Sequence, residues 1–190
     1  MPTAITDKET KVGPASRVVI NQVGGEVGTV AAPRLTSEQI WQAVASKSFA
    51  VISYVTPAGE PRSTGVVYKA MGPRLYTVVA PNSWKARHIA ARGEVSVTVP
   101  IRRGGVLSLL LSIPPSTVSF HATAKVHPAG SPEARSVLKE LAALLPPERR
   151  DTGSIIEVNP EGAFLTYGLG VSLSQMRNPA ASGARVPVSR

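Results

Sequence analysis

Two short groups of side chains in this sequence have the chemistry to hold an anion. Arg62, Ser63 and Thr64 are consecutive, and Ser83, Lys85, Arg87 and His88 gather a little further on. An arginine fork and a lysine ammonium make charge-assisted bonds to phosphate oxygens, and hydroxyls complete such a shell. A helix N-terminus adds unpaired N–H groups and the positive end of the helix dipole. The stretch Pro61 to Ala91 reads as strand, tight turn at Gly72-Pro73, strand and short basic helix. If those two strands pair across the turn, the start of the first and the end of the second lie side by side, and the two groups meet at one sheet edge. Within the helix, Lys85 and His88 stand three residues apart and share a face, while Arg87 looks elsewhere.

Other chemistries find little support. The sequence has no cysteine, which excludes disulfides, thiolate metal sites and thiol nucleophiles and fits a reducing cytoplasm. Its three histidines are scattered, without an HExxH pair, and no GxSxG elbow occurs. The run Gly24-Gly25-Glu26-Val27-Gly28 lacks the spacing of a dinucleotide loop. A bound cofactor would therefore carry any reaction, with the protein supplying position and electrostatics. The catalytic residue, if there is one, is not nominated by any motif. His121 sits in an alternating strand whose polar face also holds Ser119, Thr123 and Lys125. A solvent-facing position is the plain reading, and a haem ligand is the sharper one.

The elements that must position these groups are mostly strands. The Thr36-Ser37-Glu38-Gln39 run is a capping box, and Ile40, Trp41 and Val44 continue it at helical spacing. Strands follow at Phe49–Val55, Arg62–Ala70, Arg74–Ala80, Glu94–Ile101, Thr117–Val126, Ser154–Val158 and Ala163–Tyr167, with a further apolar run at Val106–Ile113. A helix caps at Asn82 or Ser83 and stops at Gly93, and Ser131-Pro132-Glu133 starts another. Tight turns between successive strands imply antiparallel pairing. The expected fold is mainly β with flanking helices, an antiparallel six-stranded partly closed barrel. Residues 1–34 form an N-terminal extension, partly flexible; 35–170 form the barrel domain; 171–190 form a C-terminal tail that is loosely ordered or wrapped on a neighbour.

The 190 residues suit one domain with its own core, and no apolar run approaches the ~18 residues of a membrane span. The N-terminus carries no apolar signal core. The net charge of +9 invites a nucleic-acid partner. Its arginines, however, are spread from Arg17 to Arg190 and are not interleaved with aromatics, so no nucleic-acid groove and no membrane surface is expected.

The ordered set Ala58-Gly59, Pro61-Arg62, Tyr76 to Ala80, Ser83-x-Lys85-x-x-His88 and Val95 to Val99 resembles the flavin-binding split β-barrel family. That family includes pyridoxamine 5′-phosphate oxidase and deazaflavin-dependent reductases, and the resemblance spans about residues 36 to 170. It implies a homodimer with a cofactor at the subunit interface, FMN or alternatively coenzyme F-420, and hydride transfer to a small-molecule substrate. It implies a phosphate held by Arg62, Ser63, Thr64 and Lys85 at the helix opened by Ser83. His88 becomes a secondary contact, with Gly65 and Val66 lying along the flavin ring. Trp84 either stacks on a ring or anchors the helix at an interface. Arg102-Arg103 is placed to meet a polyanionic cofactor tail. His88 stands where relatives often carry Asn, and Val106–Ile113 is an apolar insertion. No run matches the substrate-phosphate residues of true pyridoxamine phosphate oxidases, so a vitamin B6 substrate is not implied. A cofactor-binding protein without turnover is the alternative of another class.

Overall fold

The computed structural model describes residues 35–102, 114–147 and 150–189. The expected extension 1–34, Arg103 and the apolar run Val106–Ile113 lie outside them. Thr36 caps helix α1 (Ser37–Ala45) as a capping box. Its Oγ1 accepts from the Gln39 amide at 3.2 Å, and its own amide donates to Gln39 Oε1 at 3.0 Å. Strands β1 (Phe49–Val55), β2 (Pro61–Val67), β3 (Lys69–Met71) and β4 (Arg74–Val79) follow, then helix α2 (Trp84–Arg92) and β5 (Glu94–Ile101). The remaining elements are β6 (Ser116–His127), α3 (Pro132–Leu141), β7 (Ser154–Tyr167), the single turn α4 (Pro179–Ser182) and β8 (Gly183–Pro187).

Every strand pairing is antiparallel, in the order β2-β1-β5-β6-β7-β4-β3, and β8 lies beside the part of β7 that β4 leaves free. The two ends of this sheet are neighbours in sequence. Only Tyr68 separates β2 at one end from β3 at the other. The sheet must therefore curl until its edges approach, and it closes incompletely.

Alternation fills the inside. Ile52, Val66, Tyr68, Leu75, Val97, Val99, Val118, Phe120, Val158 and Phe164 are buried in one cluster. Phe120 and Phe164 meet edge to face, with centroids 5.5 Å apart. Burial of each such side chain is worth about 1.5–3 kcal/mol. Helix α1 plugs one opening with Ile40 and Val44, and the Trp41 indole donates to the Gly72 carbonyl at 3.0 Å. The Tyr68 hydroxyl donates to the Val44 carbonyl at 2.6 Å, and burial pushes its pKa well above the ordinary phenol value. Helix α3 lies outside the barrel, with Ala134 and Leu138 against Ile155, Tyr76 and Val78.

Four expectations change. Pro61–Val67 pairs with β1 along its whole length, not with β4, and only Lys69–Met71 completes the hairpin at Gly72-Pro73. Seven pairs with β1 outweigh what a tight turn alone can hold together. The two strands expected at 154–158 and 163–167 are one long strand. The residues between them, Asn159-Pro160-Glu161-Gly162, are absorbed as a bulge opposite Phe120/His121, with Gly162 at φ 69°. Residues 183–187, expected in a tail, form β8. Among the described residues the sheet has eight strands where six were expected. The alternation of β6 is as expected, with His121 exposed and Phe120 and Ala122 buried.

Candidate functional site

The incomplete closure leaves a split between β2 and β4. Backbone parity shows what faces it. The Tyr68 amide bonds the Ser48 carbonyl at 2.8 Å, so Tyr68, Val66 and Thr64 turn their backbone groups toward β1. Ser63, Gly65 and Val67 then turn theirs the other way, where no strand pairs with β2 among the described residues. On β4, Arg74 closes a two-residue turn against Met71, so Tyr76 and Val78 point toward the β3 side. Beyond Tyr76, β3 has ended, and β4 pairs only with β7 among the described residues. Two strand edges with open peptide groups thus flank one cleft, an arrangement that binds polar ligands.

The cleft measures about 250 Å³. Its walls include Gly65, Val67, Tyr76, Val78 and Lys85, with Leu141 and Leu145 closing it from the α3 side. At Gly65 an added Cβ would stand 2.9 Å from the Phe49 ring, so only glycine leaves this floor bare without moving that ring. Lys85 Nζ reaches Thr64 Oγ1 at 3.4 Å, too long for a strong bond. The ammonium is held at the cleft without being consumed there. The Thr64 hydroxyl donates to the Gly65 carbonyl at 3.3 Å. Ser83 caps α2, accepting from the Ala86 amide at 3.3 Å, and Gly93 ends it in the left-handed region at φ 74°. The first turn of α2 holds no acidic residue, so nothing there offsets the helix dipole.

The eight nominated residues do not converge on one point. Gly65, Val66 and Lys85 line the cleft, and Thr64 touches it through Lys85. Arg62 and His88 line a separate, shallower hollow of about 600 Å³ on the other side of α2. Arg62 is bound to Glu60 at 2.7 Å, and both side chains are mostly exposed. The Ser63 hydroxyl bonds Ser53 across the strands at 2.8 Å. Lys85 and His88, expected on one face, are parted. His88 packs with Trp84, its i−4 neighbour, at 5.9 Å, and with Tyr54 at 5.9 Å. Arg87 looks elsewhere, as expected, stacked 4.2 Å from the Trp84 ring centre.

Sequence reasoning did not nominate Tyr76, Val78, Leu141 or Leu145. For the first two a signal existed: they are apolar residues at outward positions of an alternating strand. For the others there was none, because α3 reaches the cleft only through the folded sheet. Tyr76 lies opposite Glu157 of β7. Its hydroxyl and the Glu157 carboxylate both raise the pKa of the exposed Arg74 guanidinium, whose Nη1 lies 2.9 Å from Glu157. His127 holds the other Glu157 oxygen at 2.8 Å. A cavity of about 450 Å³ beside α1 and the Gly72-Pro73 turn is larger but carries Glu38 and no cation, which does not suit an anion. No group of metal-ligand type occurs among the described residues. No helix among them is long and apolar enough to cross a membrane.

No protein-family model matches the chain, and no curated protein matches it. Solved structures do. The heme storage protein HutZ from Vibrio cholerae superposes with a TM-score of 0.56 at 14% identity, covering 70% of this chain and 95% of that one. A heme binding protein from Mycobacterium smegmatis gives 0.53 at 19% identity over 70% of this chain and 53% of its own. A putative pyridoxamine 5′-phosphate oxidase from Listeria innocua gives 0.51 at 14% identity over 71% and 98%. These likenesses agree with the curled sheet, its split and its flanking helices: the chain has the split β-barrel fold of the pyridoxamine 5′-phosphate oxidase-like proteins.

Proposed function

We propose that the split binds the FMN portion of a flavin and that the protein is a flavin-dependent, hydride-transferring oxidoreductase acting on a small organic substrate. The observation that carries this reading is the cleft itself, two unpaired strand edges over a bare glycine with a lysine ammonium at one end. A flat ring lies against strand edges when no Cβ projects between, and a polar ring rim exchanges hydrogen bonds with open peptide groups. A phosphate suits the Lys85 and Thr64 end, beside the N-terminus of α2. When bound, the flavin supplies the redox chemistry. The residues of this chain orient it. Lys85 balances the phosphate charge, Gly65 admits the ring, and Tyr76 and Leu141 keep water from its flank.

A second copy of the chain completes the site in this reading. The cleft is smaller than the ~300–1,000 Å³ of ordinary ligand pockets. Val67, which lines it, is 64% exposed, and Phe49 opposite it on β1 is 48% exposed. A partner covering these two would wall the cleft and bury its apolar rim. The haem named for two of the structural neighbours fits this cleft less well. None of the three histidines lines it: His121 faces outward, His127 is held by Glu157, and His88 stands across α2.

The test is the chromophore that copurifies with the protein, read by visible absorbance and mass spectrometry, with sedimentation for the dimer. FMN or a flavin containing it is expected. A deazaflavin such as coenzyme F-420 in its place would keep the cleft and change the cofactor. A protein that takes up neither on addition would defeat the reading. Turnover of a bound flavin by a chemical or nicotinamide reductant separates an oxidoreductase from a protein that only holds the cofactor.

A further inference from the structure

The hollow across α2 has no role in the reading above, yet it is built for a ligand. Tyr54, His88 and Trp84 form its aromatic wall, their rings tilted by 52° and 54° to one another and not stacked flat. Trp84 is 70% exposed, a large apolar ring left in water on a helix that could bury it. His88 Nδ1 is buried and has no hydrogen-bond partner among the described residues. Glu60 and Arg62 close the opposite side. Their ion pair is exposed, so either partner exchanges to a ligand at little cost. Arg62 is the cation among the lining residues, while Arg87 stacks on the Trp84 ring from outside that lining.

The hollow adjoins the proposed phosphate position. Arg62 and Thr64 are alternate residues on one face of β2, so their positions lie about 7 Å apart. Thr64 meets Lys85 on the cleft side, and Arg62 opens into the hollow. A group extending from a phosphate at Thr64 and Lys85 would meet a cation first and aromatic faces next. That sequence matches a second phosphate followed by a planar base. We propose that the site takes a dinucleotide flavin, with the adenylate half in the hollow: Arg62 on the second phosphate, the base against Trp84 and His88, and Glu60 accepting from an exocyclic amino group. The proposal rests on the flavin reading of the cleft and extends it. A polyanionic tail without a ring would use the Arg62 cation and leave the aromatic wall idle.

Isothermal titration of the cofactor-free protein with FMN and with FAD tests it. FAD is expected to bind roughly ten- to a hundredfold tighter, the worth of stacking a base on an aromatic face. Trp84→Ala should erase that preference while leaving FMN affinity unchanged, and Trp84→Phe should keep most of it. Trp41→Phe leaves Trp84 as the one remaining tryptophan, and AMP should quench its emission. Equal affinity for FMN and FAD would overturn the proposal and leave the cleft standing. Binding of neither would overturn both. A Trp84→Ala protein that changes from dimer to monomer by sedimentation, with its flavin preference intact, would show that the hollow receives a second copy instead.

Discussion

Lys85→Ala is the sharpest test of where a phosphate would lie. In the protein as it stands, Lys85 Nζ is 3.4 Å from Thr64 Oγ1, beyond the range of a strong hydrogen bond. Its removal should therefore cost the fold no more than ~0.5 kcal/mol, the usual scale for such positions. Toward a bound phosphate the same ammonium counts for more. A pair of unit charges at ~4 Å gains roughly 4 kcal/mol at an effective dielectric near 20. Desolvation and loss of side-chain freedom reduce this to the ~1.5–3 kcal/mol typical of a hydrogen bond to a charged group. The dissociation constant for FMN should thus rise about 10- to 150-fold. Quenching of flavin fluorescence on binding gives the affinity, and urea unfolding of the cofactor-free protein gives the stability. Lys85→Arg, which keeps the charge, should recover much of the loss. An FMN affinity within twofold of the parent, with stability unchanged, would show that the phosphate is not at this end of the split. Affinity and stability falling together would show that Lys85 serves the fold instead.

Other outcomes follow from the same geometry. Glu60→Gln releases Arg62 from its 2.7 Å ion pair while its amide oxygen still accepts from a base, so FAD binding should tighten by about two- to fivefold at low salt with FMN binding unchanged, and titration at two ionic strengths checks it. Tyr68 keeps its proton in the folded state because burial raises its pKa, whereas in the unfolded chain it ionises near the ordinary phenol value of 10.0. Its contribution is whole below that pH and is lost as pH rises past it, so stability should decline in alkali. Tyr68→Phe should flatten that decline and cost about 0.5–1.5 kcal/mol at neutral pH, since the Val44 carbonyl loses one of its two donors and keeps the Lys47 amide at 3.0 Å; denaturant melts across pH measure both. Thr36→Ala removes half of the α1 capping box and should cost about 1 kcal/mol by the same melts.

Local signals read well from this chain, and long-range ones did not. The capping box at Thr36, the Gly93 stop and the alternation of β6 depend on neighbours in sequence, and each stands where its residue types put it. The partner of β2 was misread because the Gly72-Pro73 turn is a local feature, whereas the pairing with β1 follows from the register Phe49 to Val67. Pro160 and Gly162 look like a turn in isolation, and only the continuous partner β6 converts them into a bulge. At the cleft, the meeting of Thr64, Gly65 and Lys85 was legible because strand and helix cap put them there. The separation of Arg62 and His88 from them was not. It depends on how α2 lies across the sheet, with Trp84 and His88 turned to one side and Lys85 to the other.

The split also sets an order in time. Strand β4 is fixed mainly by β7, where Leu75 lies opposite Val158, about eighty residues further along. Closing so long a loop is slow, and it gains nothing until β5, β6 and β7 have assembled. Pairing of β1 with β5 closes a shorter loop, as at Val51 opposite Thr98. The expected route forms the β1, β5 and β6 side first and seats β4 last, so the cleft comes into being only at the final step. Substitutions along it should then leave the refolding rate alone and speed unfolding, and a ligand spanning β2 and β4 should slow unfolding alone. Stopped-flow refolding and unfolding of Tyr76→Ala, with and without flavin, would show this, and a slowed refolding arm would place β4 in the nucleus instead.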